Sequence, residues 1–150
     1  MGRNLKRCER DYETKSMKRL FLMLAMMLCL GGAEAQTIRN ANNSTLATIE
    51  RDGTVRNSSN STVGKINGNG DIRDSNNKLV GKLDGNTVRN SNNSVLGRID
   101  SDGTVRNSNN SVLGRIDSSG TVRDANNSVM GYAKGVPMKY AAIYFFFNMF

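Results

Sequence analysis

Residues 87–103 read TVRNSNNSVLGRIDSDG, and residues 104–120 repeat them almost letter for letter as TVRNSNNSVLGRIDSSG. A stretch copied at a fixed spacing indicates a repeat protein, in which each copy forms the same supersecondary unit. With Thr87 as repeat position one, the copies are residues 37–53, 54–70, 71–86, 87–103 and 104–120, followed by a partial copy at 121–137. We therefore expect five complete units, of which the third is one residue short, and one incomplete unit.

Each copy alternates β-favouring runs with turn-forming runs. Thr-Val-Arg precedes Asn-Ser-Asn-Asn, and Ser-Val-Leu-Gly-Arg-Ile-Asp precedes a short loop that ends in Gly. Asparagine side chains bond to nearby backbone and tolerate a positive φ, and a Gly-ended loop between two β-favouring runs is typical of a hairpin. The sequence therefore predicts an all-β fold made of small hairpins.

Positions two, ten and thirteen are apolar in the repeats. Positions ten and thirteen would face opposite sides of a regular strand, because side chains alternate along it. Position eleven is Gly in five copies and Ala47 in the first. We predict a bulge or kink at this glycine, which brings positions ten and thirteen to one interior. The first copy, which lacks the glycine, is expected to form an edge.

A single copy is too poor in apolar residues to fold alone. Three buried aliphatic side chains contribute about 2 kcal/mol each, whereas ordering the chain costs about 1.5 kcal/mol per residue. The hairpins must therefore share a core. We predict that five or six of them close into a propeller-like ring, and a linear β-solenoid is the alternative.

The tail, residues 138–150, carries the apolar run Ala141 to Phe147. Such a run needs a place to be buried in an otherwise polar chain. We predict a final strand that packs into the assembly and completes the partial copy at Thr121. An aromatic end at Phe150 is also typical of outer-membrane barrels, but membrane strands need about 9 to 11 residues with an apolar face, and these repeats carry Arg and Asn throughout.

Residues 1–35 differ in composition from the repeats. A basic lead is followed by an apolar block from Leu20 to Leu30 and then by Gly-Gly-Ala-Glu-Ala-Gln. The block is too short to cross a bilayer of about 30 Å, and the last three residues before Gln36 have the small-x-small pattern of a cleavage site. We predict a signal peptide at 1–35, starting at Met1 or Met17, that is cleaved between Ala35 and Gln36. The domain at 36–150 is then exported to the periplasm or cell exterior and has no transmembrane span.

The repeat G-T-V-R-N-x-x-N-x-x-x-G-x-I, present about five times behind a signal segment, ends in A-A-x-x-F-F-F. This pattern resembles the five-fold β-flower family of small secreted Bacteroidetes proteins. The resemblance covers residues 37–150 and implies a five-fold ring of hairpins. The resemblance implies no established activity and no catalytic residue.

The composition limits the chemistry of the domain. Cys8 and Cys29 lie in the predicted signal peptide, and the chain has no His. Zinc sites, thiol sites and His-activated nucleophiles are therefore not expected. Residues 100–103, Asp-Ser-Asp-Gly, and residues 50–53, Glu-Arg-Asp-Gly, partly match a calcium loop, but the equivalent turns of other copies lose the carboxylates. Ordinary turn chemistry is favoured, and we expect no enzyme, no metal and no cofactor.

Arginine occupies position three in every copy. The six residues are Arg39, Arg56, Arg73, Arg89, Arg106 and Arg123. In a ring they would lie on one circle, which could bind a sulfated glycan, phosphate or another anionic polymer. In the alternative interpretation each pairs with a carboxylate or Asn of its own or a neighbouring copy, such as Asp74, Asp100 or Asp117.

Residues 36–150 hold 14 Lys and Arg against 9 Asp and Glu, a net charge of +5. This balance permits an anionic polysaccharide or cell-envelope component as partner, and no nucleic acid is expected. Asn-rich turns also suit lectin-like binding, although Tyr132 is the one aromatic near the repeats, or Asn ladders in a cross-β fibre. The predicted function is a non-enzymatic binding or structural module, with anionic-glycan binding and fibre formation as alternatives.

Overall fold

The computed structural model describes residues 36–150, and the predicted signal peptide lies outside the described residues. The strands are β1 (Gln36–Asn40), β2 (Thr45–Ile49), β3 (Thr54–Asn57), β4 (Thr62–Ile66), β5 (Asp71–Asp74), β6 (Leu79–Asp84), β7 (Thr87–Asn90), β8 (Val95–Ile99), β9 (Thr104–Asn107), β10 (Val112–Ile116), β11 (Thr121–Asp124) and β12 (Val129–Tyr132), and the helix is α1 (Met138–Phe146). Consecutive strands pair antiparallel and β12 pairs with β1, so the sheet closes into a twelve-stranded barrel. The all-β fold of repeated hairpins is confirmed, and closure excludes the linear solenoid.

The last copy is a complete hairpin. β11 pairs with β12 in the register that the other hairpins use, and β12 then closes the barrel against β1. The predicted need for a tail strand beside Thr121 was therefore wrong, because Val129–Tyr132 supplies the partner. The first copy is not an edge either, since β1 is paired on both sides.

A β-bulge recurs in every hairpin. Val55 lies opposite Gly64 while the next residue, Arg56, lies opposite Thr62, so Val63 is the extra residue. The other five hairpins shift register at the same position. Position ten is partly buried and packs against the core, and position eleven is buried in each copy. The predicted bulge is confirmed, with position ten rather than the glycine as the inserted residue.

The turns at the two ends of the barrel share one backbone conformation, except the shorter β6–β7 turn, where Asp84 lies opposite Thr87. The N–H of Asn43 donates to the carbonyl of Asn40, and the N–H of Gly53 donates to the carbonyl of Glu50. Asn43 has a φ of 65° and Gly53 a φ of 86°. A type I turn followed by a left-handed residue is a common three-residue hairpin loop, and Asn and Gly are the residues that adopt it at least cost. Asn turns thus lie at one end of the barrel and Gly turns at the other.

The tail forms a helix, and the predicted strand was wrong. Ala141, Ala142 and Ile143 of α1 are 0 % exposed and belong to the same core as the buried strand residues. A strand inside a closed barrel would have no free edge to pair with, whereas a helix satisfies its own backbone groups. Lys139 Nζ donates to the carbonyl of Gly85 at 2.7 Å, which ties the start of α1 to the Gly-turn end.

The end of the tail lies against the position-eleven glycines. The tail side chain nearest to the missing Cβ is Phe145 at Gly131, Phe146 at Gly114, Phe147 at Gly97, Met149 at Gly81 and Phe150 at Gly64. Each glycine therefore leaves the space that one large side chain fills. The tail packs into the assembly as predicted. It does so through contacts between the repeated position-eleven glycines and the large side chains at the end of the chain.

No helix within the described residues has the length and apolarity needed to span a membrane.

Candidate functional site

The six position-three arginines occupy equivalent places on the outer face of the barrel. Each follows the buried position-two residue of its strand, so its side chain points away from the lumen. In all six copies Nη1 donates to the backbone carbonyl of the position-seven Asn, at 3.0 to 3.4 Å. Each arginine thus stabilises, through this hydrogen bond, the left-handed residue of its own turn.

Four of these arginines also meet a carboxylate. The pairs are Arg56 with Glu50 at 2.6 Å, Arg73 with Asp71 at 3.4 Å, Arg89 with Asp84 at 3.9 Å and Arg106 with Asp100 at 2.9 Å. Of the carboxylates named from the sequence, Asp100 therefore binds an arginine as predicted. Asp74 instead accepts the N–H groups of Asn76 and Lys78 in its own turn.

Sequence reasoning missed a second set of cations, at position twelve. This position lies directly opposite position three of the next copy, which gives the pairs Lys65–Arg73, Lys82–Arg89, Arg98–Arg106 and Arg115–Arg123. These eight residues form the cation belt. The position-twelve members are the more exposed, since the side chain of Arg98 is 51 % exposed and that of Arg106 is 28 % exposed.

Carboxylates beside the belt are held by their own turns. A hydrogen bond from Lys65 Nζ and others from Thr54 keep the pKa of Asp52 well below its usual range. The N–H and hydroxyl of Thr104 lower the pKa of Asp102 in the same way. In Asp117, hydrogen bonds from Ser119 and Thr121 lower the pKa, and Arg123 acts on it only at longer range.

Three belt cations have no close counter-charge. Within residues 36–150, no carboxylate oxygen lies within 4.0 Å of a side-chain nitrogen of Lys82, Arg115 or Arg123. Lys82 and Arg115 are also exposed. These groups are therefore the part of the belt that is most available to an external anion.

The calcium-like turns use their carboxylates within the protein. Asp100 accepts from Arg98 and Arg106, and Asp102 accepts from Thr104. Across the part of the chain that the structure describes, no three His, Cys, Asp or Glu side chains come together in a way that could hold a metal ion.

A groove of about 750 Å³ lies where β12 meets β1, on the outward face of the seam. It is lined by Thr37, Arg39, Ala41, Asn43, Ser119, Thr121, Tyr132 and Lys134. The repeat pattern changes here in two places, because position twelve is Tyr132 and position fourteen is Lys134. The other copies have Thr48, Lys65, Lys82, Arg98 and Arg115 at position twelve, and Glu50, Asn67, Asp84, Asp100 and Asp117 at position fourteen.

Neither a curated protein nor a solved structure matches the chain significantly. The sequence model of one protein family, described as "5-fold beta-flower protein", matches residues 35–149. That range includes all twelve strands and α1. The match confirms the resemblance noted in the sequence: the chain belongs to the 5-fold beta-flower family.

Proposed function

We propose that the protein is a non-enzymatic binding module that holds anionic polymers on the outer face of its barrel. The cation belt is the observation that carries this proposal. At four consecutive junctions two cations lie directly opposite each other. Like charges in that arrangement cost roughly 0.2–1 kcal/mol per pair. A bound polyanion would relieve this repulsion.

The spacing of the belt suits a polymer better than a small anion. Neighbouring pairs lie two strands apart, which is about 10 Å around the barrel. A chain with regularly spaced sulfate or carboxylate groups can contact several pairs at once, and each further contact forms at a high effective concentration. A single small anion reaches only one pair and gains nothing from the repetition.

The double variant Lys82→Gln with Arg115→Gln tests the belt. We expect it to bind heparin about tenfold more weakly than the parent and to elute from heparin resin at lower salt, since two exposed contacts of up to about 1 kcal/mol each are lost. Neither side chain makes a hydrogen bond or ion pair within residues 36–150, so the fold should not change.

The matched control is Arg51→Gln with Lys78→Gln, which removes two charges from exposed turns outside the belt. We expect the control to retain most of the parent's affinity. If the two double variants elute together, only net charge matters and the belt is not a site.

We also propose that the domain is exported after cleavage between Ala35 and Gln36. This proposal is supported by the sequence, in which an apolar block from Leu20 to Leu30 is followed by the small-x-small pattern Ala33-Glu34-Ala35 directly before Gln36. Amino-terminal sequencing of protein recovered outside the cytoplasm should start at Gln36. Recovery there of a chain that still carries residues 1–35 would refute the cleavage.

The absence of enzymatic function is inferred from residues 36–150, which contain no His and no Cys.

Fibre formation has less support than binding. Every strand of the described barrel is paired on both sides, so edge-to-edge growth would require the β1–β12 seam to open. Amyloid-dye fluorescence that rises with time in the folded protein would favour the fibre instead.

A further inference from the structure

The seam groove holds an arginine that lacks the carboxylate partner that three of its equivalents have. Arg56, Arg89 and Arg106 each pair with the position-fourteen carboxylate of the preceding copy. Closure of the barrel makes the last copy the predecessor of the first. The residue that corresponds to those carboxylates at Arg39 is therefore Lys134, so two cations line the groove where three other junctions have an ion pair.

Little in the groove offsets this charge. Arg39 Nη1 reaches the backbone oxygen of Asn43 at 3.4 Å and its Oδ1 at 3.5 Å, the longest of the six arginine-to-turn contacts. Within residues 36–150, neither Arg39 nor Lys134 has a carboxylate oxygen within 4.0 Å. A ligand carboxylate would supply the charge that Glu50, Asp84 and Asp100 supply at three other junctions.

The groove also presents an aromatic ring. Tyr132 lies directly opposite Arg39 on one side and opposite Thr121 on the other. Its side chain is partly exposed on the outward face, where the other copies have a cation or Thr. Aromatic rings offer a flat apolar surface with a polar tip, and the C–H face of a sugar ring stacks on such a surface.

The size and polarity of the groove agree with a saccharide. Its volume of about 750 Å³ lies within the usual range for small-ligand sites, about 300–1,000 Å³. Ser119, Thr121 and Asn43 add hydroxyl and amide groups to the lining. A neutral sugar would leave both cations without a counter-charge, and a simple inorganic anion would not use the ring.

We propose that the seam groove binds an acidic saccharide unit, whose sugar ring stacks on Tyr132 and whose carboxylate lies between Arg39 and Lys134. The site is separate from the cation belt and does not depend on it. It recognises one or two sugar residues, whereas the belt holds a polymer through repetition.

Calorimetry with digalacturonate tests this site, with neutral digalactose and sodium sulfate as comparison ligands. We expect digalacturonate to bind at least tenfold more tightly than either, because only it offers both ring and carboxylate. Lys134→Gln should weaken that binding about tenfold, as expected for one charge-assisted contact of about 1.5 kcal/mol. Tyr132→Phe should retain it, since the ring remains.

Tyr132→Thr installs the residue that the first copy carries at this position, Thr48, and should abolish binding. A melting curve shows whether that variant is folded, and Lys134→Gln provides an independent test because Lys134 is exposed and outside the core. The belt variant Lys82→Gln with Arg115→Gln should bind digalacturonate within twofold of the parent. This comparison separates a failure of the seam site from a failure of the belt.

Equal affinity for digalacturonate and digalactose would overturn the proposal, as would sulfate binding of the same strength. Unchanged binding by folded Tyr132→Thr or by Lys134→Gln would also overturn it. If the belt variant lost as much affinity as Lys134→Gln, the disaccharide would be bound on the belt and the seam assignment would be wrong.

Discussion

Removal of residues 138–150 is expected to abolish cooperative unfolding and to leave a chain that aggregates. These residues fill the lumen, where Ala141, Ala142 and Ile143 are 0 % exposed and the aromatic end packs against the same core. Truncation of one buried Phe to Ala costs about 3–5 kcal/mol, and the whole stability of a domain is about 5–15 kcal/mol. The loss of several such side chains therefore exceeds what the barrel can tolerate.

Calorimetric melting of residues 36–150 with and without the tail measures this effect. The parent should give one sharp transition, and the truncated chain none. Asn148→Gly provides the control within the same segment, because this side chain is exposed and glycine tolerates the positive φ of 44° at this position. We expect it to change the stability by about 0.5 kcal/mol or less. A tailless chain that melts as hot and as sharply as the parent would mean that the strands alone form the core.

Gly114→Ala is expected to destabilise the domain by about 2–3 kcal/mol, which is large for the addition of one methyl group. An ideal Cβ at this position would lie 2.6 Å from Cε1 of Phe146 and would also overlap the backbone carbonyl of Arg123. The ring is confined by the lumen, and the carbonyl belongs to the neighbouring strand. Neither can move without disturbing the bulge or the helix.

Urea unfolding compares this substitution with two others. Gly68→Ala adds the same methyl group in a turn where nothing lies within 4 Å of the new Cβ, and we expect a change of about 0.5 kcal/mol or less. Ala47→Gly imposes glycine on the copy that lacks it and should cost roughly 0.5–1 kcal/mol through backbone entropy. Equal midpoints for Gly114→Ala and Gly68→Ala would show that the glycine is not required for tail packing.

The bulge beside the position-eleven glycine was predictable because it follows from a local conflict. Two apolar positions three residues apart cannot share one face of a regular strand, so an irregularity near the glycine was required. The turns were predictable for a similar reason, since the Asn at position seven and the Gly that ends the second loop are residue types that adopt a left-handed backbone at low cost. The helical state of the tail was not predictable, because an apolar segment of this length suits a strand or a helix equally. Closure of the sheet decides it, by removing any edge on which a strand could pair.

The amino-acid sequence by itself determined the repeat, the alternation of strands and turns, the family and the recurring Arg39-type arginines, since these depend on residues close together in the chain. Only the tertiary structure placed position twelve opposite position three and brought Lys134 and Arg39 into one groove, and these arrangements define the cation belt and the seam groove. The physical reason is that pairing between copies, and between the two ends of the chain, is set when the barrel closes around the tail. Local residue preferences contain no information about that register.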